Sequence, residues 1–483
     1  PAPPEPSADT EEDISDNLLY STFLGGTSLD MSRAMVMDGE GTAYFAAITR
    51  SDDFPVTDTA YDTTFNGGNS EGEDDVAIVG FSTLLNELKY ASYLGGGEGP
   101  DIFSQIHLQD GSIYITGSTG SPDFPVTDDA YDSDFHGPMI RHADGFFSKL
   151  SGSSLTYSTY FGSKGGDFLT DVLIGKEDEV ILIGQIADAG EMRFSHIFSD
   201  EMMENAPSVC LLRLNAGLNG LLSASLLGPA EAGVQAVLDQ DGNIYITGTT
   251  QSADFPVTEG AYDTAYNEGG DVFLMKLSPE GDAILFSTYL GGSGYDAGPS
   301  ICLDNENNVI VYGKTQSRDF PITEDALDAA MDGESDLFIA RISGDGGDLI
   351  YSSFLGGAEI KGTGFLAEAA GNVVTLPNGN ILLCGTTTAS DHPVTVGAVS
   401  KSNSGGEDVF ITLLGPDLAD IVYSTYLGGG QNDLYPTVGM DGNGNITCVC
   451  TTQSPDFPVT SGAYDETFNG VYDIAVFSLR PAP

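Results

Sequence analysis

The chain has 483 residues, enough for a large core, and its length alone suggests several domains. Sixteen basic against 72 acidic residues set a formal charge of −56, which argues against nucleic acid or an anionic lipid surface as partner. The 40% hydrophobic and 10% aromatic content is too high for disorder, while 62 Gly and 23 Pro favour many short strands joined by turns.

Residues 1–17, PAPPEPSADTEEDISDN, have the composition of a linker and read as a Pro- and acid-rich N-terminal arm. The start has no charged or apolar leader region, so the expectation is a chain from which a signal peptide has been removed. No apolar run approaches the roughly 20 residues needed to cross a bilayer as a helix. At Tyr20-Ser-Thr-Phe-Leu-Gly-Gly26 a repeat begins. It returns at Tyr90, at Tyr157, degraded at Ser223, then at Phe286, Tyr351 and Tyr423. The residue before the first glycine is Leu24, Leu94, Phe161, Leu227, Leu290, Leu355 and Leu427, which gives seven units about 63–72 residues apart.

Within a unit, four strand-like runs alternate with turn signals. In the fourth unit Gly233–Leu238 is the first run, and a tight Asp239–Asn243 turn leads to the second, Ile244–Gly248. A longer connection follows, with Asp-Phe-Pro-Val-Thr or a close variant around Phe54, Phe124, Phe255, Phe320 and Phe457. The next residues, Ala-Tyr-Asp, are expected to form one helical turn capped by the Thr. Their tyrosines (Tyr61, Tyr131, Tyr262 and Tyr464) are expected to pack beneath the connection. The third run starts at an Asp (Asp271–Leu277) and the fourth is Ile284–Leu290. The third unit departs most, with Phe194-Ser-His-Ile197 and the pair Met202, Met203 where five of the others carry the Phe-Pro motif. Five cysteines, Cys210, Cys302, Cys384, Cys448 and Cys450, fall mostly in apolar runs and read as buried free thiols.

Four antiparallel strands in each of seven units predict an all-β, seven-bladed β-propeller over residues 18–483. The first run of the repeat is a lone fourth strand and the last, Asp473–Leu479, is a third strand. The N-terminal strand is therefore expected to pair in the last blade and close the ring. The block order DVFLMKL…STYLGG…GNIYITGTT…DFPVT resembles the SBBP-type β-propeller repeat of secreted and cell-surface bacterial and archaeal proteins. That resemblance implies a propeller and an extracellular or cell-surface location, and no uniform active site.

An Asp stands before the first run (Asp30, Asp101, Asp167, Asp296, Asp433) and another before the third (Asp75, Asp144, Asp271, Asp336, Asp408, Asp473). Oxygen ligands of this kind suit Ca²⁺, the expected ion. Asp is equally the residue that caps a turn by accepting backbone N–H bonds, and its recurrence in nearly every unit favours that role. The candidate metal residues are Asp239, Asp241, Asn243, Asp304 and Glu306 in the short turns, with Asp271 and Asp296 on the opposite face. No nucleophile elbow, P-loop or HExxH sequence occurs, so no catalytic residue is assigned. The expected function is a non-enzymatic, extracellular structural or adhesive protein. Pro1, Pro3, Pro4 and Pro6 of the arm would link copies into homo-oligomers or filaments. The other partners considered are extracellular glycans or surface proteins. The second reading is a carbohydrate-binding or carbohydrate-cleaving propeller that uses its central pocket.

Overall fold

In the computed structural model the described residues are 17–482, apart from 68–73, 85, 138–143, 189–192, 200–206, 332 and 358–369. Pro1, Pro3, Pro4, Pro6, Met202 and Met203 lie outside them. The strands form seven separate sheets, each a four-stranded antiparallel meander, with one extra strand in the third. Each first strand touches the first strand of the blade on either side, through all seven blades and back to the start. The sheets therefore stand around an axis as a closed seven-bladed propeller. Among the described residues no helix is long and apolar enough to cross a membrane.

The middle strands carry the core. Ile244–Thr250 is buried along its whole length, as are Val180–Ile186 and Asp336–Ile342. Such strands need both faces covered, and Val180–Ile186 offers Val, Ile or Leu at five of its seven positions. Blade packs on blade: Ile244, Ile246, Phe273 and Met275 of the fourth meet Ile181, Ile183, Val209 and Leu211 of the third. The five cysteines are unpaired and buried.

The long connection serves the outer strand. Thr258 donates its N–H to Ser287 O at 3.0 Å, and its Oγ1 accepts the Ser287 N–H at 3.0 Å. The Thr hydroxyl thus closes a polar edge that would otherwise invite a foreign strand. Phe255 lies 4.4 Å from Phe273 between ring centroids, and Tyr289 donates its hydroxyl to Ser252 O at 2.9 Å. The same Thr contact recurs at Thr57–Ala91, Thr127–Ser158, Thr323–Ser352, Thr395–Ser424 and Thr460–Ser21. Because the hydroxyl is used across the blade, it does not start a helix. The expected helical turn is a β-turn, with the Ala261 N–H donated to Thr258 O at 3.2 Å. Tyr61 and Tyr262 pack at the core margin, whereas Tyr131 and Tyr464 are 45% and 42% exposed. In the third blade His196–Ile197 pairs parallel to Leu221–Pro229 and covers that edge instead.

Leu18–Leu24 pairs antiparallel with Asp473–Leu479, Phe23 opposite Ala475 and Leu24 opposite Ile474. Phe23 is 1% exposed and lies against Phe457 and Phe468. Phe23→Ala removes a packed aromatic from the closing strand and is expected to cost about 3–5 kcal/mol. Chemical denaturation checks this; a loss below about 1 kcal/mol would mean that the closing strand contributes little.

Candidate functional site

The candidate metal residues fall on opposite faces of the ring. Asp239, Asp241, Asn243, Asp304 and Glu306 occupy the turns between first and second strands. Asp239 Oδ1 accepts the N–H groups of Asp241 and Asn243, each at 2.9 Å, and its Oδ2 accepts from Asn243 Nδ2 at 2.7 Å. Burial opposes ionisation there, but these bonds and Lys276 outweigh it and hold the carboxyl below its usual value. Asp304 accepts from Glu306 N, Asn308 N and Asn308 Nδ2 in the same pattern. The turns are thus closed by their own Asp. Among the described residues no group of three or more His, Cys, Asp or Glu side chains is placed to hold a metal ion.

Asp271 and Asp296 are brought together at the opposite end of the strands, at the junction of blades four and five. A Cβ on Gly291, the first glycine of the crossover, would lie 2.6 Å from Asp271 Oδ1 and 2.8 Å from Asp296 Oδ2. Only glycine lets the two carboxyl groups close on the backbone this way. Asp75 with Asp101, Asp144 with Asp167, Asp408 with Asp433 and Asp473 with Asp30 flank Gly95, Gly162, Gly428 and Gly25 alike.

Members of a pair are solvated differently. Asp296 Oδ2 accepts the Gly292 N–H at 2.7 Å and the Ser317 hydroxyl at 2.7 Å, and Oδ1 accepts from Thr315. Asp271 Oδ2 accepts the Asn267 N–H at 2.9 Å, but no donor among the described residues reaches its buried Oδ1. The same oxygen is unpartnered in Asp75, Asp144 and Asp408. Burial above all, with Asp296 and Asp263 adding, pushes the Asp271 carboxyl up to about 7. Burial likewise raises Asp75, Asp408 and Asp473 to about 7. At the junction of blades four and five a carboxyl group with three donors, Asp296, thus faces one with a single donor, Asp271; burial raises the first-strand members too, Asp30 and Asp433 to about 6.

The third constellation lies on the axis, at the central pocket that the second reading named, but none of its residues was singled out in the sequence. Every first strand contains a register shift, at Ser32/Ala34, Phe103/Gln105, Leu169/Asp171, Ala232/Gln235, Ala297/Ser300, Ala370/Val373 and Leu434/Thr437. A bulge re-aims side chains, and here it lies beside the channel in all seven blades. The channel holds a cavity of about 370 Å³ whose walls mix apolar residues such as Val36, Ile106 and Ile301 with Arg33, His107, Asp171, Gln235, Asn372 and Tyr435. Some of these side chains clasp neighbouring blades. Asp171 accepts the Ala236 N–H at 2.8 Å, Ser300 the Val373 N–H at 3.0 Å, and Asn372 exchanges two bonds with Val438. Burial pushes the buried Asp171 up to about 7 and lowers the His107 imidazole. The only signal in the sequence was a polar residue inside each first run, different from unit to unit.

A family model described as SBBP, a beta-propeller repeat, matches residues 237–256, from the end of a first strand through the Phe-Pro motif. The chain carries the SBBP repeat. The first, second, fifth and seventh units show the same order of runs and the same Phe-Pro motif. No curated protein matches the chain. Among solved structures it is similar to a protein of unknown function from Dyadobacter fermentans, at 12% identity and TM-score 0.41, covering 96% of this chain and 99% of that one. It is also similar to a PL25 ulvan lyase, at 10% and 0.47, covering 95% and 97%. A third is the quinohemoprotein alcohol dehydrogenase of Comamonas testosteroni, at 9% and 0.44, covering 96% and 77%. Likeness at this level says nothing of substrate or chemistry.

The junction pairs give the SBBP ring a sign for its pH dependence. An unfolded Asp loses its proton near pH 3.9, whereas Asp271 in the fold loses it near 7, so the folded ring binds more protons between these values. This part of the stability is complete below about pH 4, falls as pH rises, and is gone above about 7. The unfolding midpoint is expected to be higher at pH 5 than at pH 8 at matched ionic strength. Asp271→Asn should raise the pH 8 midpoint by about 1–2 °C, while the exposed Asp128→Asn should not. A variant equal to the wild type at pH 8 would refute the assignment.

Proposed function

We propose that the protein is a secreted propeller that binds a saccharide in its axial channel, the ring serving as a rigid frame. The observation that carries this reading is the convergence of all seven bulged first strands on one axial cavity of mixed polarity. A site of this size, with amides, hydroxyls and an aromatic ring set among apolar residues, suits a sugar, which presents hydroxyl groups at its edges and C–H groups on its faces. Of the two readings drawn from the sequence, the cavity favours the carbohydrate one, as binding rather than cleavage. Hydrolysis of a glycosidic bond uses two facing carboxyl groups, whereas the described lining offers Asp171, which is occupied with the Ala236 and Val172 N–H groups. The secreted location rests on the SBBP repeat, and the −56 charge suits screened, cation-rich surroundings. Self-assembly through Pro1, Pro3, Pro4 and Pro6 gains no support from the described residues.

Calorimetric titration of the intact protein with a panel of oligosaccharides tests the reading. At least one member is expected to bind, and Gln235→Leu to weaken it about tenfold by leaving a sugar hydroxyl unpaired. Silence across the panel would overturn it. Ca²⁺ has its place in the same proposal at the junctions, where the Asp271–Asp296 pair is most exposed to like-charge repulsion once ionised. At pH 8, millimolar calcium is expected to raise the unfolding midpoint and EDTA to reverse the gain. An unchanged melting curve would remove the ion from the account.

A further inference from the structure

Among 72 acidic residues, a guanidinium would be expected to find a carboxylate. Arg50 lies against Asp74, Arg213 against Glu179 and Arg341 against Asp304. Arg33 does not. It sits at the bulge of the first blade's inner strand, on the wall of the axial cavity. Among the described residues no carboxylate pairs with it, and its buried Nε–H has no acceptor. The guanidinium carbon is 4.3 Å from the ring centroid of Tyr435, across the seam where the last blade meets the first.

Tyr435 is itself held in an unfavourable conformation. Its φ is 53°, in the left-handed region that a bulky aromatic residue rarely enters, and it sits within the register shift of its strand. Strain of this kind persists only where the surroundings impose it, and it gathers at ligand sites. The strained tyrosine provides a flat platform that fixes the plane of the guanidinium by cation–π contact. What remains open is the edge of the fork, which is shaped for two parallel bonds to an oxyanion.

We propose that Arg33, oriented by Tyr435, reads an anionic group on the saccharide bound in the axial channel, so that the ligand class is an acidic sugar. The inference rests on the saccharide reading and deepens it by naming the charge. Carboxylated and sulfated sugars share the chemistry that Arg33 would recognise, and both meet the same obstacle. The −56 charge repels an anion at long range, so the ligand has to be held by close contacts within the channel. Raising the salt relieves that repulsion and also weakens the direct pair, which leaves salt dependence a poor readout. Removing the ligand's charge while retaining its sugar ring is the sharper one.

The probes are an oligogalacturonate, its methyl-esterified neutral counterpart and a sulfated oligosaccharide, each titrated calorimetrically into the full chain. The oligogalacturonate or the sulfated sugar is expected to bind at least tenfold more tightly than the neutral ester. Whichever of the two binds tighter identifies the anion. Arg33→Met should abolish that margin, bringing the affinity for the charged sugar down to that for the neutral ester. Arg33→Lys should restore part of it, and thermal melts would show that both variants fold. Equal binding of charged and neutral sugars, or an unchanged margin in Arg33→Met, would overturn the role of Arg33 and leave the saccharide reading standing. Failure of every probe in the wild type would overturn both.

Discussion

At five of the seven crossovers a backbone N–H accepted by a buried aspartate at the entry of the next blade sets how one sheet follows another. Gly292 gives its N–H to Asp296, and Gly26, Gly96 and Gly429 do the same for Asp30, Asp101 and Asp433. Desolvating a carboxylate is expensive, and the cost is offset only when its remaining lone pairs are filled. The fold fills them from the end of the second strand, where a Thr-x-Ser sequence aims two hydroxyls at the same group: Thr49 and Ser51 at Asp30, Thr315 and Ser317 at Asp296. Crossover, first strand and second strand are thereby locked at one point. With the fourth blade's first-strand Asp absent, Thr250 donates instead to the Pro229 carbonyl at 2.7 Å. The glycines, hydroxyls and acids of the repeat answer largely to this one need.

Much of the fold was legible because that need recurs. A run such as Asp271–Leu277 has the same boundaries in the sequence and in the structure, since its Asp and its turn are both fixed by local chemistry. The helical turn after the Phe-Pro motif was misread because the local rule for a capping Thr competes with a long-range partner. Thr258 is 29 residues from Ser287, and nothing adjacent to it in sequence announces that contact. The third blade shows the converse. It lacks the motif but keeps the function, by means of a two-residue strand, His196–Ile197, too short to carry any pattern.

The residues of the axial site escaped notice for a different reason. Comparing units brings out what they share, and the channel is built from what they do not. All seven first strands are bulged near the same place, yet the side chains that result are an arginine, two amides, a histidine, an acid and a tyrosine among others. The backbone is close to sevenfold, and its chemistry has no symmetry at all. Positions where one unit breaks its own repeat without loss of structure are where function is most expected. The abundance of acid hid the carboxyl pairs as well. Asp271 and Asp296 could be named as candidates, but their meeting across Gly291 depends on two adjacent blades.

The closing strand makes the order of events during synthesis unusual. Leu18–Leu24 is made before every other strand of the ring, and its partner Asp473–Leu479 after all of them. Until the final strand emerges, an apolar segment ending in Phe23 and Leu24 has no sheet to join, although the intervening blades can assemble in sequence. A contact of this span is slow to form and leaves an edge open to other chains while it is pending. Ribosome-bound intermediates of this protein therefore need shelter for the first strand of the ring, and release of the last blade is the step that ends that need.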